Sequence, residues 1–309
     1  MNESKVAVLA ALLGNAALAL LKGVTAALTG SAAMLAETLH SVADTGNEIL
    51  LFLGMRVARH PPDERHPFGY GKNVFFWAFV VSVMLFTLGG ALSLWEAVRK
   101  MVHGGQQLAP GWAYGVLAGA FVFESISLGV AMRSLRRVQG DRSLREFWHE
   151  TRDPTLLTVL LEDGAALVSL VVAAAGLLVA QLTGHPIWDA VASAVIGAII
   201  LAVALLLARE NHSLLIGERA EDDVERALRD AVLGDPTVVA LERLRTMHIG
   251  PAEIIALLRV RLRDELTGPE VTDTLQRLHG RIDRALAHDV RARFVVIEPT
   301  TPRVASRAA

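Results

Sequence analysis

The chain of 309 residues has no cysteine, which excludes disulfides and thiolate metal sites at the outset. It also lacks a surplus of charge. Thirty Lys and Arg stand against 32 Asp and Glu, a net charge of −2, and the last third is itself near balance, so no basic patch is offered to nucleic acid. Neither HExxH nor GxSxG occurs, which removes the simplest hydrolase readings. No cleavable leader stands out: Met1 to Lys5 is followed by an apolar run long enough to span a bilayer and without an obvious cleavage site. The first helix is expected to stay, and a chain without a signal or transit segment suits a bacterial inner membrane.

What the chain has is clustered apolar sequence. Hydrophobic residues make up 52% of it, and they gather into six runs at Val6 to Leu28, Ser31 to Met55, Val74 to Trp95, Trp112 to Met132, Thr155 to Thr183 and Ile187 to Ala208. A membrane-spanning helix needs about 20 mostly apolar residues, so each run qualifies by length. After Asn211 the sequence turns charged and mixed. The expected fold is therefore an α-helical membrane protein with six transmembrane helices over residues 1–212, followed by a soluble domain over residues 213–309.

Lys and Arg near helix ends mark the cytoplasmic side. Arg56, Arg59, Arg65 and Lys72 crowd the second connection, and Arg133, Arg136, Arg137, Arg142, Arg145 and Arg152 crowd the fourth. The turns at Thr29–Gly30 and Gly184–Pro186 carry none, and the connection after Trp95 has only Arg99 and Lys100. Both termini are expected in the cytosol.

One apolar run is interrupted by "AETLHSVADTGNE", which carries Glu37, His40, Asp44 and Glu48. Spacings of three, four and four place them within about 80° of a helix circumference, a single stripe. Ionisable groups in a bilayer are costly and mark ion paths or relays. His40 and Asp44, one turn apart, can hold one divalent ion together. A lone buried His or Asp is as often a structural hydrogen-bonder, but the fifth run answers the stripe with Glu162 and Asp163. Carboxylates and one imidazole suit Zn²⁺, and Fe²⁺, Mn²⁺ or Co²⁺ also accept such donors. Lys22 either snorkels or pairs with an acid. Glu124 is a proton-carrying or entry-path residue, or the partner of Lys22, and Asp189, just after Pro186, reads as a helix-capping acid.

These residues resemble the cation diffusion facilitator family of divalent-metal/proton antiporters, and its zinc-transporter-9-like branch in particular. "HSVAD" matches the HxxxD pair of the second span, and "PPDERHPFGYGK" is similar to the family's loop signature at its cytoplasmic end. The usual fifth-span HxxxD is missing, since Val159 stands four before Asp163. Asp163 is then the stronger ligand and Glu162 the weaker, with Glu37 or Asn47 available to complete the shell. The resemblance also implies a loop metal position at Asp63 and His66, weakened by Tyr70 where some relatives have another His. The structural reading of those two residues is that they order the loop.

The tail reads as a small α/β domain of order αββαβ: a helix at Glu221 to Val232, strands at Val238 to Ile249 and Glu253 to Arg263, a helix carrying Val271, Leu275, Leu278, Ile282 and Leu286, and a closing strand "RFVVIEP". It resembles the family's ferredoxin-like cytoplasmic domain, which implies a homodimer and a regulatory metal site, with His248 and Glu298 as candidates near strand ends. The implied activity is metal efflux, Zn²⁺ first and Fe²⁺, Mn²⁺ or Co²⁺ as alternatives, in exchange for protons by alternating access. The chain is then a secondary transporter in a lipid bilayer, with no cofactor and the ion as cargo. A membrane-anchored metal sensor is the rival from another class, although an anchor has no use for a polar stripe facing acids on another span.

Overall fold

A computed structural model describes residues 3–103, 111–139, 154–251, 253–286 and 291–300. The long helices are α1 (Glu3–Thr29), α2 (Ala32–Ala58), α3 (Asn73–His103), α4 (Gly111–Gln139), α5 (Pro154–Thr183) and α6 (Ile187–Ile216). At 1.5 Å per residue each is about 40 Å long or more, beyond the roughly 30 Å hydrocarbon thickness of a bilayer. The stretches Asn73–His103, Ala113–Arg133, Thr158–Thr183 and Ile187–Ile216 are long and apolar enough to cross a membrane. In α1 the apolar stretch among the described residues is the shorter Asn15–Thr29. In α2 the stripe of acids lowers the hydropathy that the length alone would satisfy. Arg142, Arg145 and Arg152, part of the basic connection expected inside, lie outside the described residues.

The chain divides into two compact units. One gathers the helices as far as His212; the other joins the loop Ala58–Asn73 to the chain from Ser213 onward.

Within the helical unit the turns fall where glycine permits them, with Gly30 at φ 63° and Gly184 at φ 70°. Helix α3 contains one feature that hydropathy does not encode, a π-helical segment at Leu85–Ala91 around Gly89 and Gly90. A Cβ on Gly90 would lie 2.6 Å from the Leu201 side chain, and one on Gly197 would lie 3.1 Å from the Gly90 carbonyl oxygen. The backbones of α3 and α6 therefore approach through small residues, the usual solution where lipid supplies no hydrophobic drive between helices. Ser193 of α6 adds a hydrogen bond to the Ser93 carbonyl at 3.2 Å.

The second unit contains α7 (Asp222–Leu233), β1 (Val238–Gly250), β2 (Glu253–Leu262), α8 (Gly268–Ala285) and β3 (Arg291–Thr300), in the order αββαβ. Its sheet runs β1-β2-β3, with β1 and β2 antiparallel and β2 and β3 parallel across α8. The alternation read from β2 is real: Ile254, Ala256, Leu258, Val260 and Leu262 are buried, against Leu228 and Val232 of α7 and Leu278 and Ile282 of α8. Thr267 and Glu270 form a capping box at the start of α8, satisfying backbone donors that a helix cannot satisfy itself. The loop Ala58–Asn73 lies on this domain. Phe68 meets Phe294 edge to face at 5.1 Å. A Cβ on Gly71 would fall 2.3 Å from the Ile249 carbonyl oxygen, so only glycine fits there.

Candidate metal centre

Four helices of the first unit, α1, α2, α4 and α5, supply the polar groups around the candidate site. On α2, Glu37, His40 and Asn47 are buried, and Asp44 and Glu48 are partly buried. His40 Nδ1 lies 3.4 Å from Asp44 Oδ1, the one-turn pair that the spacing predicted. Helix α5 places Glu162 and Asp163 opposite, and each is held by a neighbour that donates to it: Asn47 Nδ2 to Glu162 Oε1 at 2.6 Å, and Ser127 Oγ of α4 to Asp163 Oδ2 at 2.8 Å. Asp44, Glu48, Glu162 and Asp163 lie within coulombic range of one another, and Glu124 of α4 lies within range of Asp44 and Asp163. Adjacent Glu162 and Asp163 thus serve different neighbours, as a 100° step between successive helical residues requires.

Among the described residues, no three His, Asp or Glu side chains converge closely enough to hold one ion as placed. The arrangement is instead two prepared halves, His40 with Asp44 on α2 and Glu162 with Asp163 on α5. Several buried polar atoms there have no hydrogen-bond partner: Glu37 Oε1, both ring nitrogens of His40, Asp44 Oδ1, Asn47 Oδ1 and Glu48 Oε2. Buried polar atoms are nearly always paired, so such a concentration on one helix face marks a place built for something other than packing.

The remaining intramembrane residues sort differently from expectation. Lys22 is fully buried and does not snorkel; its Nζ donates to Glu37 Oε2 at 3.0 Å and to Ser41 Oγ at 2.8 Å. Its acid is thus Glu37, not Glu124. Glu48 accepts from Asn15 Nδ2 of α1 at 2.6 Å. Asn15, Ser41 and Ser127 were missed in the sequence, although the spacings offered a signal: Asn15 and Lys22 are seven apart, and Glu124 and Ser127 three apart, each pair on one helix face. Asp189 does cap a helix, but not its own. It accepts from Ser31 Oγ and the Ala32 amide, both at 2.5 Å, and from the Ala33 amide at 3.2 Å, all at the start of α2, and it pairs with Lys100 at 3.6 Å.

In the loop, Asp63 and His66 are adjacent, 3.5 Å apart, and both are about half exposed. Asp63 accepts from the Tyr70 hydroxyl and from the His66 amide, both at 2.6 Å, and from the Arg65 amide at 3.0 Å. The Tyr70 phenol and these amides hold the Asp63 carboxyl below its ordinary value, and the same carboxylate pushes the Tyr70 phenol up. In the C-terminal domain His248, a strand-end candidate in the sequence, is fully buried, with Nε2 3.4 Å from Glu221 Oε2. Glu298 is exposed on β3 and takes a bidentate hydrogen bond from Arg259, which lowers its carboxyl below the ordinary range. His248 pairs with Ile254 across the sheet while Glu298 pairs with Arg259, so the two candidates are not brought together.

A helical membrane protein whose buried imidazole and carboxylates face one another across α2 and α5 has the architecture of a cation carrier, and sequence comparison agrees. The profile of the cation efflux transmembrane domain matches residues 8–216, and the chain belongs to the cation efflux family, whose members are transporters and not enzymes. Metal tolerance protein C4 of Arabidopsis thaliana is 32% identical over 256 residues, which are 82% of this chain and 55% of the plant protein. The human mitochondrial proton-coupled zinc antiporter SLC30A9 is 31% identical over 228 residues, 73% of this chain and 40% of its own length. Magnetosome protein MamB of Paramagnetospirillum magneticum is 23% identical over 291 residues, 94% of this chain and 92% of the bacterial protein. The chain thus spans about half or less of the plant and human relatives.

Proposed function

We propose that the chain exports a divalent metal cation, Zn²⁺ first, in exchange for protons, using His40, Asp44, Glu162 and Asp163 as the transport site. The observation that carries this reading is the run of unpartnered buried polar atoms at His40 and Asp44 facing two acids on α5. Metal ligands must be deprotonated, so an ion that binds displaces protons, and protons that return displace the ion. The two halves close on the ion when Asn47 and Ser127 release Glu162 and Asp163. Names of relatives support metal and proton as the exchanged species, and one imidazole among carboxylates leaves Fe²⁺, Mn²⁺ and Co²⁺ as competing cargo. The full assembly is proposed as six spans with both termini in the cytosol, a ferredoxin-like cytoplasmic domain over residues 213–309, and a homodimer formed partly through that domain.

The test is purified protein in liposomes carrying a pH gradient, with Zn²⁺, Fe²⁺, Mn²⁺ and Co²⁺ offered in turn. Asp44→Ala and Asp163→Ala are expected to abolish metal-coupled proton flux. Robust transport by both variants would refute the site.

A further inference from the structure

Lys22 is the only buried Lys or Arg among the described residues, and its ammonium touches α2 beside the candidate ligands. It reaches Glu37 and Ser41, one turn apart. Ser41 directly follows His40 and precedes Asp44 by three residues, so its side chain is a helix-surface neighbour of Asp44, with Cβ atoms about 5–6 Å apart. His40, Asp44 and Glu124 all lie within coulombic range of Lys22. Burying such a pair is expensive, and packing alone would be served as well by apolar side chains of equal volume. The pair therefore calls for an explanation in terms of the ion.

Glu37 lies on the same stripe as His40 and Asp44, and its Oε1 is buried without a partner. Freed from Lys22, it would be one more acid within reach of an ion there, and a carrier whose site holds its cargo too tightly cannot release it. With the pair intact, the attraction of Glu37 and the repulsion of Lys22 largely cancel at the ion. We infer that Lys22 is a positioning residue that withholds Glu37 from the cation at His40 and Asp44, and so sets how tightly the site binds and which divalent ions it prefers. The inference rests on the transport reading of that site.

Opposite signs are the signature. Full-length protein in detergent, titrated with Zn²⁺ and Mn²⁺, should bind both more tightly as Lys22→Met, by about tenfold or more from the lost repulsion. The gain should be larger for Mn²⁺, which favours an added carboxylate. Glu37→Gln leaves an unmatched ammonium and should weaken binding by a similar factor. The double variant loses the attraction and the repulsion together and should return close to the wild type, the sum of the two opposite single effects. Lys22→Gln, whose amide still donates to Glu37 and Ser41, gives the Lys22→Met result in milder form and keeps the question answerable if the methionine variant does not fold. A purely structural pair would lower the folded fraction in both single variants and leave the affinity of the folded protein unchanged, which overturns the inference. Wild-type protein that binds neither ion would sink the transport reading, and this inference with it.

Discussion

Asp63 receives three donors at once, and the phenol of Tyr70 is the one it does not share with its own turn. His66 lies against the same phenol, with ring centroids 4.3 Å apart. The loop is thus closed by a carboxylate–phenol clasp made entirely of protein groups. Because the folded-state Asp63 carboxyl is lowered, chiefly by Tyr70, its contribution to loop order is full above the unfolded carboxylate value and is lost as pH falls through the lowered folded value. Removing the phenol by Tyr70→Phe should move the Asp63 carboxyl back up, so that on acidification the loop loosens at a higher pH than in the wild type. Hydrogen exchange of residues 58–73 across an acid series reads this directly, and identical midpoints for the two proteins would show that the phenol does not hold the carboxylate. His40, Asp44 and Asp63 were legible in the sequence because i, i+4 and turn spacings are local. The clasp itself was not, since the Tyr70 hydroxyl reaches Asp63, seven residues before it, only through the folded shape of the loop between them.

Helix α2 carries half of the candidate site, and its first turn is fixed from another helix. Two of its amides and the hydroxyl of Ser31 are satisfied by Asp189, and Ser31 in turn accepts from the Met34 amide at 3.1 Å. An acid at a helix N-terminus also meets the positive end of the helix dipole. Asp189→Ala should cost about 1–2 kcal/mol from the lost cap, and more from Lys100, which would lose its acid; Asp189→Asn, which keeps an acceptor, should cost less. Thermal unfolding in detergent ranks the three proteins, and equal midpoints would contradict the cap. Apolar runs predicted the six long helices among the described residues, four of them long and apolar enough to cross a membrane, because hydropathy and length are properties of one segment. The partner of Asp189, 157 residues away from Ala32, is a property of two. The π-segment of α3 was likewise invisible, since it depends on how closely Gly89 and Gly90 approach α6. In the second unit the strands and helices fell close to their expected places, because alternation in β2 and the helical stripe through Leu278 and Ile282 each report one buried face. His248 did not follow, as a polar residue at a strand end gives no local sign of burial.

The two units have separate cores with no residue in common, one of transmembrane helix residues such as Ile196 and Leu177, the other of sheet and helix residues such as Val260 and Leu278. The proposed orientation, taken from the charge asymmetry of the connections, has the loop Ala58–Asn73 and the C-terminal domain in the cytosol and the Gly184 turn on the other side. A chain without cysteine allows a clean test, since any introduced thiol is the only one present. His185, Glu64 and Asp264 are exposed, one at the α5–α6 turn, one in the loop and one after β2. In intact cells a membrane-impermeant maleimide should label His185→Cys, and should label Glu64→Cys and Asp264→Cys only after permeabilisation. The reverse pattern would place the basic loop outside and overturn the proposed orientation. Labelling of Glu64→Cys and Asp264→Cys from opposite sides would break the six-span arrangement itself, because an even number of crossings between them is what returns the chain to the side it left.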